Sequence, residues 1–265
     1  MNMRHDPYGE GVLSKDIPTE LRRLQLLENA LDPLSIAAIE KLPLGSTPRC
    51  LDMASGAGSM SYWLADRYPG GSVVSADIDP RYLDGERAPN LTVRTFDIRE
   101  EDFPKGSFDL IHARSVLKHL PEREEVLARF VDWLAPGGWL AIVDGYWFPS
   151  DDTAHPEWGG VLRAIVEQMN SQGGDMRWTR RLPGLIARLG LTDVSVQLTP
   201  SLAGWEGWGE QLHEWIRPTI RQTGPTLVRK GYVTAEEVER FLEAEDGPHM
   251  AEWFGVVASV VGRVP

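Results

Sequence analysis

The sequence predicts an α/β fold, a mostly parallel sheet with helices on both faces. Three observations carry the prediction. Between residues 49 and 144, short apolar runs alternate with longer amphipathic stretches. A turn of small residues, Ala54-Ser55-Gly56-Ala57-Gly58, joins the first run to the first of those stretches. Acidic residues close the runs, with Asp77, Asp97 and Asp144 each at or just past an end. Strands separated by helices of this length need crossovers, and crossovers make a parallel sheet.

The elements follow in order. Residues 1 to 18 are polar, punctuated by Gly and Pro, and read as extended. Leu21, Leu24, Leu27, Leu31 and Leu34 then fall at helical spacing, with Asp32-Pro33 marking a break, and Ser35 to Lys41 reads as a second helix. The first strand is 49–53 and its helix 58–68. The second strand is 72–76, with a short helix after Pro80. The third strand is 91–96 and the fourth 108–112. A helix over 121–134 starts with Pro121, which suits a first turn. Pro136-Gly137-Gly138 turns into the fifth strand, 139–143. Beyond it the pattern gives helices near 159–170 and 182–189, a strand at 194–198, a turn at Gly224-Pro225, a helix over 235–243 capped by Thr234, and a last strand at 254–261. The expected organisation is a helical segment over 1–44 and a ligand-binding domain over 45–265, with lid insertions at about 146–181 and 201–248.

Composition narrows the function. The formal net charge of -12 and pI near 5.0 argue against a dedicated nucleic-acid binder, which needs clustered Lys and Arg. The single cysteine, Cys50, allows no intrachain disulfide and reads as a core residue. No signal-peptide pattern opens the sequence, and no run approaches a membrane span, so a cytoplasmic location is expected. No His, Cys and Asp spacing resembles a metal site, and none is expected.

The small-residue turn lies where a parallel sheet binds ligands, beyond the carboxyl end of a strand. Two ligands use such a turn. Gly56-x-Gly58-x-x-Ser61 nearly matches a dinucleotide fingerprint, with Ser at the third glycine. Asp52, just before the turn, disfavours a pyrophosphate and favours the ammonium and sulfonium of S-adenosylmethionine (SAM). Asp52-x-Ala54-x-Gly56-x-Gly58 resembles motif I of the class I SAM-dependent methyltransferases, with Ala for the first Gly. The segment Phe108 to Leu120 and the Pro136-Gly137-Gly138 turn resemble later parts of the same family, so the likeness covers residues 49 to 144.

That resemblance implies a Rossmann-like, doubly wound seven-stranded sheet, its last strand antiparallel, with a helical cap and SAM as cofactor. It implies that Asp52, Ala54, Ser55, Gly56, Gly58 and Arg114 surround the cofactor. Asp77 holds the ribose with Ile78 on the adenine, and Asp97 and Ile98 meet the adenine. Tyr8, Arg22 and Arg23 are placed near the methionine end. His119 is the candidate base, although a structural hydrogen bond explains it equally well. His112 reads as core, while His213 and His249 are weaker candidates. Of the ten tryptophans, six fall in the two insertions. With Tyr146, Trp147 is the candidate acceptor contact, because both follow a strand end. The expected acceptor is a small apolar or aromatic molecule of the secondary-metabolite kind, with no nucleic-acid or membrane partner and a homodimer left open. Three rivals remain: a cyclase or isomerase that uses SAM without methyl transfer, an NAD-dependent oxidoreductase, and a SAM-binding regulator. The absence of a Tyr-x-x-x-Lys pattern counts against the oxidoreductase.

Overall fold

A computed structural model describes residues 13–149, 151–203, 210–244 and 252–265. The elements run α1 (Glu20–Ile39), β1 (Arg49–Met53), α2 (Ser59–Arg67), β2 (Ser72–Asp77), β3 (Leu91–Thr95), β4 (Phe108–Arg114), α3 (Arg123–Trp133), β5 (Leu134–Trp147), α4 (Pro156–Ser171), α5 (Leu182–Arg188), β6 (Thr192–Ala203), α6 (Glu210–Arg229), α7 (Ala235–Ala244) and β7 (Glu252–Arg263). The sheet has seven strands in the order β3-β2-β1-β4-β5-β7-β6. Strands β1 to β5 pair in parallel. Strand β7 runs antiparallel to β5: Gly137 and Gly138 bond Val264, while Phe148 bonds Phe254.

The chain divides into two compact units. The sheet unit comprises residues 31–146, 177–199 and 257–265. Its central strands are buried on both faces, and successive side chains leave a strand on opposite sides. Cys50, Leu110, Trp139 and Ala141 face α2 and the end of α1, with Ile39, Met60 and Leu64. Leu51, Met53, Ile111, Ala113, Leu140 and Ile142 face α3 and α5, with Val126, Phe130, Trp133 and Ile186. Helices therefore cover both faces of the sheet.

The helical unit comprises residues 1–30, 147–176 and 200–256. Its core is aromatic. Trp147 meets Phe254 edge to face, Trp158 packs on Phe241, and Ile216, Ile220 and Leu227 of α6 join them. Thr234 and Glu237 form a reciprocal cap on α7: the Glu237 carboxylate accepts from the Thr234 backbone N–H at 2.8 Å, and Thr234 Oγ1 accepts from the Glu237 N–H at 3.2 Å.

Four expectations about elements need correction, three of them at prolines. Helix α1 continues through Pro33 instead of breaking at Asp32-Pro33, and α6 contains both Pro218 and Pro225 where a turn at Gly224-Pro225 was expected. A proline inside a helix forfeits one backbone bond, and here buried faces on both sides keep the axis continuous. Gly224 also brings α7 close, since a Cβ there would sit 3.0 Å from Val238 Cγ1. No helix follows Pro80. That stretch is too short to nucleate one, and it folds as turns, with Leu83 N bonded to Pro80 O and Asp84 N to the Tyr62 hydroxyl. Strand β5 starts at Leu134 and runs on to Trp147, well beyond 139–143 at each end.

Buried Cys50 has its thiol pKa pushed up to about 12, chiefly by burial, with the negative charges of Asp109 and Asp52 adding to it. The unfolded chain ionises this thiol near its ordinary value of 9.0. Its contribution to stability is therefore present below about pH 9 and is lost as pH climbs toward 12. A thiol reagent at pH 8.5 is expected to leave the native protein unlabelled and to label Cys50 fully in denaturant. Mass spectrometry of the intact chain checks this.

Candidate cofactor site

The strand order reverses between β1 and β4, with β2 and β3 on one side and β5 on the other. Ligands of open α/β sheets bind outside the carboxyl ends of the strands at such a reversal. The structure puts backbone strain there. Ala54, just past β1, has φ 56°, and Ser115, just past β4, has φ 53°. Non-glycine residues held in this region cost energy and cluster at functional sites. Gly56 and Gly58 complete the turn with φ 64° and 97°. The turn is pinned underneath by Ala54 N and Ser55 N, which bond the Ala76 carbonyl at the end of β2. Ser55 Oγ donates to the Asp52 carbonyl at 2.7 Å.

Asp52 is 2% exposed, and both its oxygens have partners inside the sheet unit. Ser61 Oγ, on α2, donates to Oδ2 at 2.6 Å, with Ser75 Oγ 2.7 Å away on its other side. His112 Nδ1 lies 2.8 Å from Oδ1, and His112 Nε2 lies 3.0 Å from Ser35 Oγ on α1. A carboxylate only accepts, so the hydrogen sits on Nδ1, an assignment made from the network. His112 is 1% exposed and directly opposite Asp52 in the parallel register. This polar chain ties α1, β4, β1, α2 and β2 together immediately beneath the strained turn. It also accounts for Ser61 at the third-glycine place: its hydroxyl is the partner of the motif carboxylate.

Asp77 ends β2, buried, and grips the turn. Its Oδ2 accepts from Gly56 N at 2.9 Å, and its Oδ1 accepts from Asp79 N at 2.9 Å. Ile78 is half-buried beside it. Asp97 follows β3, and Arg99 embraces it with Nε 3.1 Å and Nη2 2.9 Å from its two oxygens. Ile98 belongs to the core cluster with Phe96. Arg114, the last residue of β4, pairs with Asp32 of α1, and Ser59 Oγ donates to the same Asp32 oxygen at 3.0 Å. The structure therefore brings Asp52, Ser55, Gly56 and Asp77 into one bonded turn, and Arg114, Asp32 and Ser59 into a second group.

The ends of β4 and β5 carry a third group. Buried Asp144 receives the Lys118 ammonium at 3.1 Å, the Gly145 N–H at 2.8 Å and the Trp178 Nε1–H at 3.2 Å. Next to Lys118, His119 ends a short 3-10 helix, half-buried, its backbone N bonded to the Val116 carbonyl. Tyr146 is half-buried at the end of β5, whereas Trp147 belongs to the aromatic core of the helical unit. Arg22 is exposed, and Arg23 is buried against Glu20 through two bonds of 2.8 and 2.6 Å. Tyr8, His249, Trp205, Trp208 and the side chain of His213 lie outside the described residues.

Sequence reasoning missed His112, Asp32, Ser35 and Lys118 as parts of this region. Only a composition signal pointed to them, a polar residue inside an otherwise apolar strand or helix face. The register that sets His112 against Asp52 is a tertiary fact.

These residues fit SAM. The turn is shaped for close approach: a Cβ on Gly58 would lie 2.8 Å from Leu83 Cδ2 and 2.8 Å from Tyr62 Cζ. Asp77 and Asp97 at the strand ends present carboxylate oxygens, which accept hydrogen bonds, and no phosphate-binding cation replaces Asp52. Gly58→Ala adds both this clash and a left-handed alanine, worth about 1–2 kcal/mol by itself. It is expected to lower the melting temperature by several degrees and to weaken SAM binding at least tenfold, as read by calorimetry. Among the described residues no group of His, Cys, Asp and Glu is arranged to hold a metal, and no helix is long and apolar enough to cross a membrane.

Comparison with known proteins places this geometry. A family profile described as a methyltransferase domain matches residues 22–196. Methyltransferase str2 of Strobilurus tenacellus is 33% identical over 186 residues, 67% of this chain and 66% of its own length. The trans-aconitate 2-methyltransferase of Methylobacterium radiotolerans is 33% identical over 195 residues, 68% of this chain and 71% of its own. The chain thus spans about two thirds of the length of these relatives. Phosphoethanolamine N-methyltransferase 2 of Haemonchus contortus, solved in complex with SAM, superposes with a TM-score of 0.61 at 16% identity, over 94% of this chain and 59% of that one, a likeness of fold. Strand order, motif turn and family match agree, and they decide against the oxidoreductase: the chain belongs to the class I SAM-dependent methyltransferase family.

Proposed function

We propose that this methyltransferase acts on a small apolar or aromatic acceptor, with the cofactor held at the turn between β1 and α2. One observation carries the cofactor half: the strained turn at the strand-order reversal is gripped by Asp77 through Gly56 N. The aromatic composition of the helical unit supports the acceptor half. SAM, when bound, supplies a methyl group already activated on a sulfonium. The protein's task is then alignment and exclusion of water. Asp77 and Asp97 fix the nucleoside end, and Asp52, through Ser61 and His112, keeps the turn in shape. Arg114 with Asp32 sets the charge at the end of β4. Where the acceptor atom carries a proton, His119 takes it, since a neutral imidazole nitrogen accepts a hydrogen.

The name of the trans-aconitate methyltransferase supports a second reading, in which the acceptor is an aliphatic carboxylic acid. One experiment separates the two. Calorimetric titration with SAM and S-adenosylhomocysteine tests the cofactor site. Release of S-adenosylhomocysteine is then followed with phenols, aromatic acids and aliphatic polycarboxylic acids. Turnover of ring compounds supports the first reading. Turnover of polycarboxylic acids alone replaces it with the second, and no SAM binding removes both.

A further inference from the structure

Helix α3 reaches back to the loop that follows β3. Arg129 Nη1 donates to the Glu101 carbonyl at 2.9 Å, and Arg129 Nη2 donates to the Ile98 carbonyl. The same guanidinium lies 5.8 Å from the centre of the Trp133 ring, one turn further along α3. Trp133 Nε1 in turn donates to the Asp102 carboxylate. Two residues on one side of the helix, four apart, therefore hold residues 98, 101 and 102. Among the described residues no carboxylate pairs with Arg129, so its charge is committed to two carbonyls and an indole face.

The loop held in this way carries Asp97. Its backbone is bonded into the same segment. The Asp97 N–H donates to Glu101 Oε1 at 2.9 Å, and the Asp97 carbonyl accepts from Glu100 N at 3.1 Å and Glu101 N at 2.9 Å. Arg129 thus grips the residue covalently next to Asp97 and the residue that caps it. Packing alone does not explain the grip. Phe96 stacks on Phe103 at 4.6 Å, and both rings meet Trp133 edge to face at 5.9 and 5.2 Å. That aromatic floor already seats the loop on α3. It leaves open how the peptides are turned, and a planar fork with donors in fixed directions settles that.

We propose that Arg129 is a positioning residue for cofactor recognition: by clamping the Ile98 and Glu101 carbonyls it sets the Asp97 carboxylate for the adenine amine, and so sets the selectivity for adenine. This rests on the reading that Asp97 meets the nucleobase. A carboxylate only accepts hydrogen bonds. Adenine offers it an exocyclic amine, a donor, where hypoxanthine offers a carbonyl oxygen, an acceptor. A site built to bond a polar group rejects the mismatched analogue strongly, provided the bonding angle is held. An Asp97 free to turn loses this preference before it loses the ligand, because the ribose is held separately at Asp77.

The test compares S-adenosylhomocysteine with S-inosylhomocysteine, its hypoxanthine counterpart, by calorimetry on the parent, Arg129→Met and Asp97→Ala. Methionine keeps an apolar stem over Trp133 and removes the guanidinium. The parent is expected to bind the adenine compound about tenfold more tightly or better. In Arg129→Met that preference falls roughly fivefold or more, through weaker binding of the adenine compound alone. In Asp97→Ala it disappears. Arg129→Lys restores part of it, since an ammonium lacks the fork. A purely structural role weakens both compounds equally and leaves their ratio unchanged. The parent's ratio in Arg129→Met, whatever its melting temperature, therefore overturns the proposal. If Arg129→Met does not fold, Arg129→Gln is read in its place with the same outcomes. A parent ratio near one, or the parent's ratio in Asp97→Ala, places the nucleobase away from Asp97 and overturns that reading together with the proposal. A parent that binds neither compound removes the cofactor site and the proposal with it.

Discussion

Asp77→Ala is expected to weaken SAM binding by roughly 100-fold or more. Each hydrogen bond to a charged group is worth about 1.5–3 kcal/mol, and a ribose diol makes two. The substitution has a second cost, because Asp77 is also the anchor of the turn: Gly56 N and Asp79 N both lose their acceptor. Asp77→Asn separates the two effects. It keeps one acceptor oxygen, enough for one of these two N–H groups, and lacks the charge, so an intermediate loss of about tenfold is expected. Calorimetry with SAM and S-adenosylhomocysteine measures both variants. An Asp77→Ala protein that binds within threefold of the parent would place the nucleoside elsewhere.

His112→Leu is expected to be the most destabilising single change in the sheet unit. Leucine fills similar space and suits a β-strand position, so packing is not what fails. The imidazole leaves, and Asp52 keeps a buried carboxylate with the Ser61 hydroxyl as its remaining side-chain partner, while Ser35 on α1 loses its own. Removing a hydrogen bond from a buried carboxylate costs about 1.5–3 kcal/mol. The companion double variant, Asp52→Asn with His112→Leu, carries no buried charge. It is expected to recover part of the loss, giving a coupling of about 1–3 kcal/mol. Urea unfolding followed by circular dichroism reads these differences. A His112→Leu protein within 1 kcal/mol of the parent would show the pair to be dispensable.

These two residues also show what could be read from the chain itself. Asp77 was legible because its signal is local: an apolar run, an acid at its end, and a fixed distance from a glycine turn. The same holds for Asp52 to Gly58, for the parallel strands β1 to β4, and for the Thr234 cap. His112 was not legible as a partner of Asp52. A histidine inside a strand looks the same whether it packs or bonds, and what decides is the sideways register of two strands 60 residues apart. Pro33 and Pro225 misled for a related reason. The rule that proline ends helices is a rule about backbone bonds, and the buried faces of α1 and α6 outweigh one missing bond. Strand β5 runs four residues past the end that the apolar run at 139–143 suggests. The longer strand carries the Trp147 indole into the aromatic core of the helical unit.

The strand order has a consequence for how the molecule comes off the ribosome. Strand β6 is made before β7, yet β7 is its neighbour in the sheet and also the one that fills the place beside β5. For the time needed to synthesise residues 204–251, β6 has no strand to pair with, and the outer edge of β5 is bare. Unpaired edges are templates for association with other chains. A newly made chain halted anywhere in that window is therefore a client for a chaperone, and a nonsense change that removes β7 exposes two edges at once rather than trimming one strand from the rim.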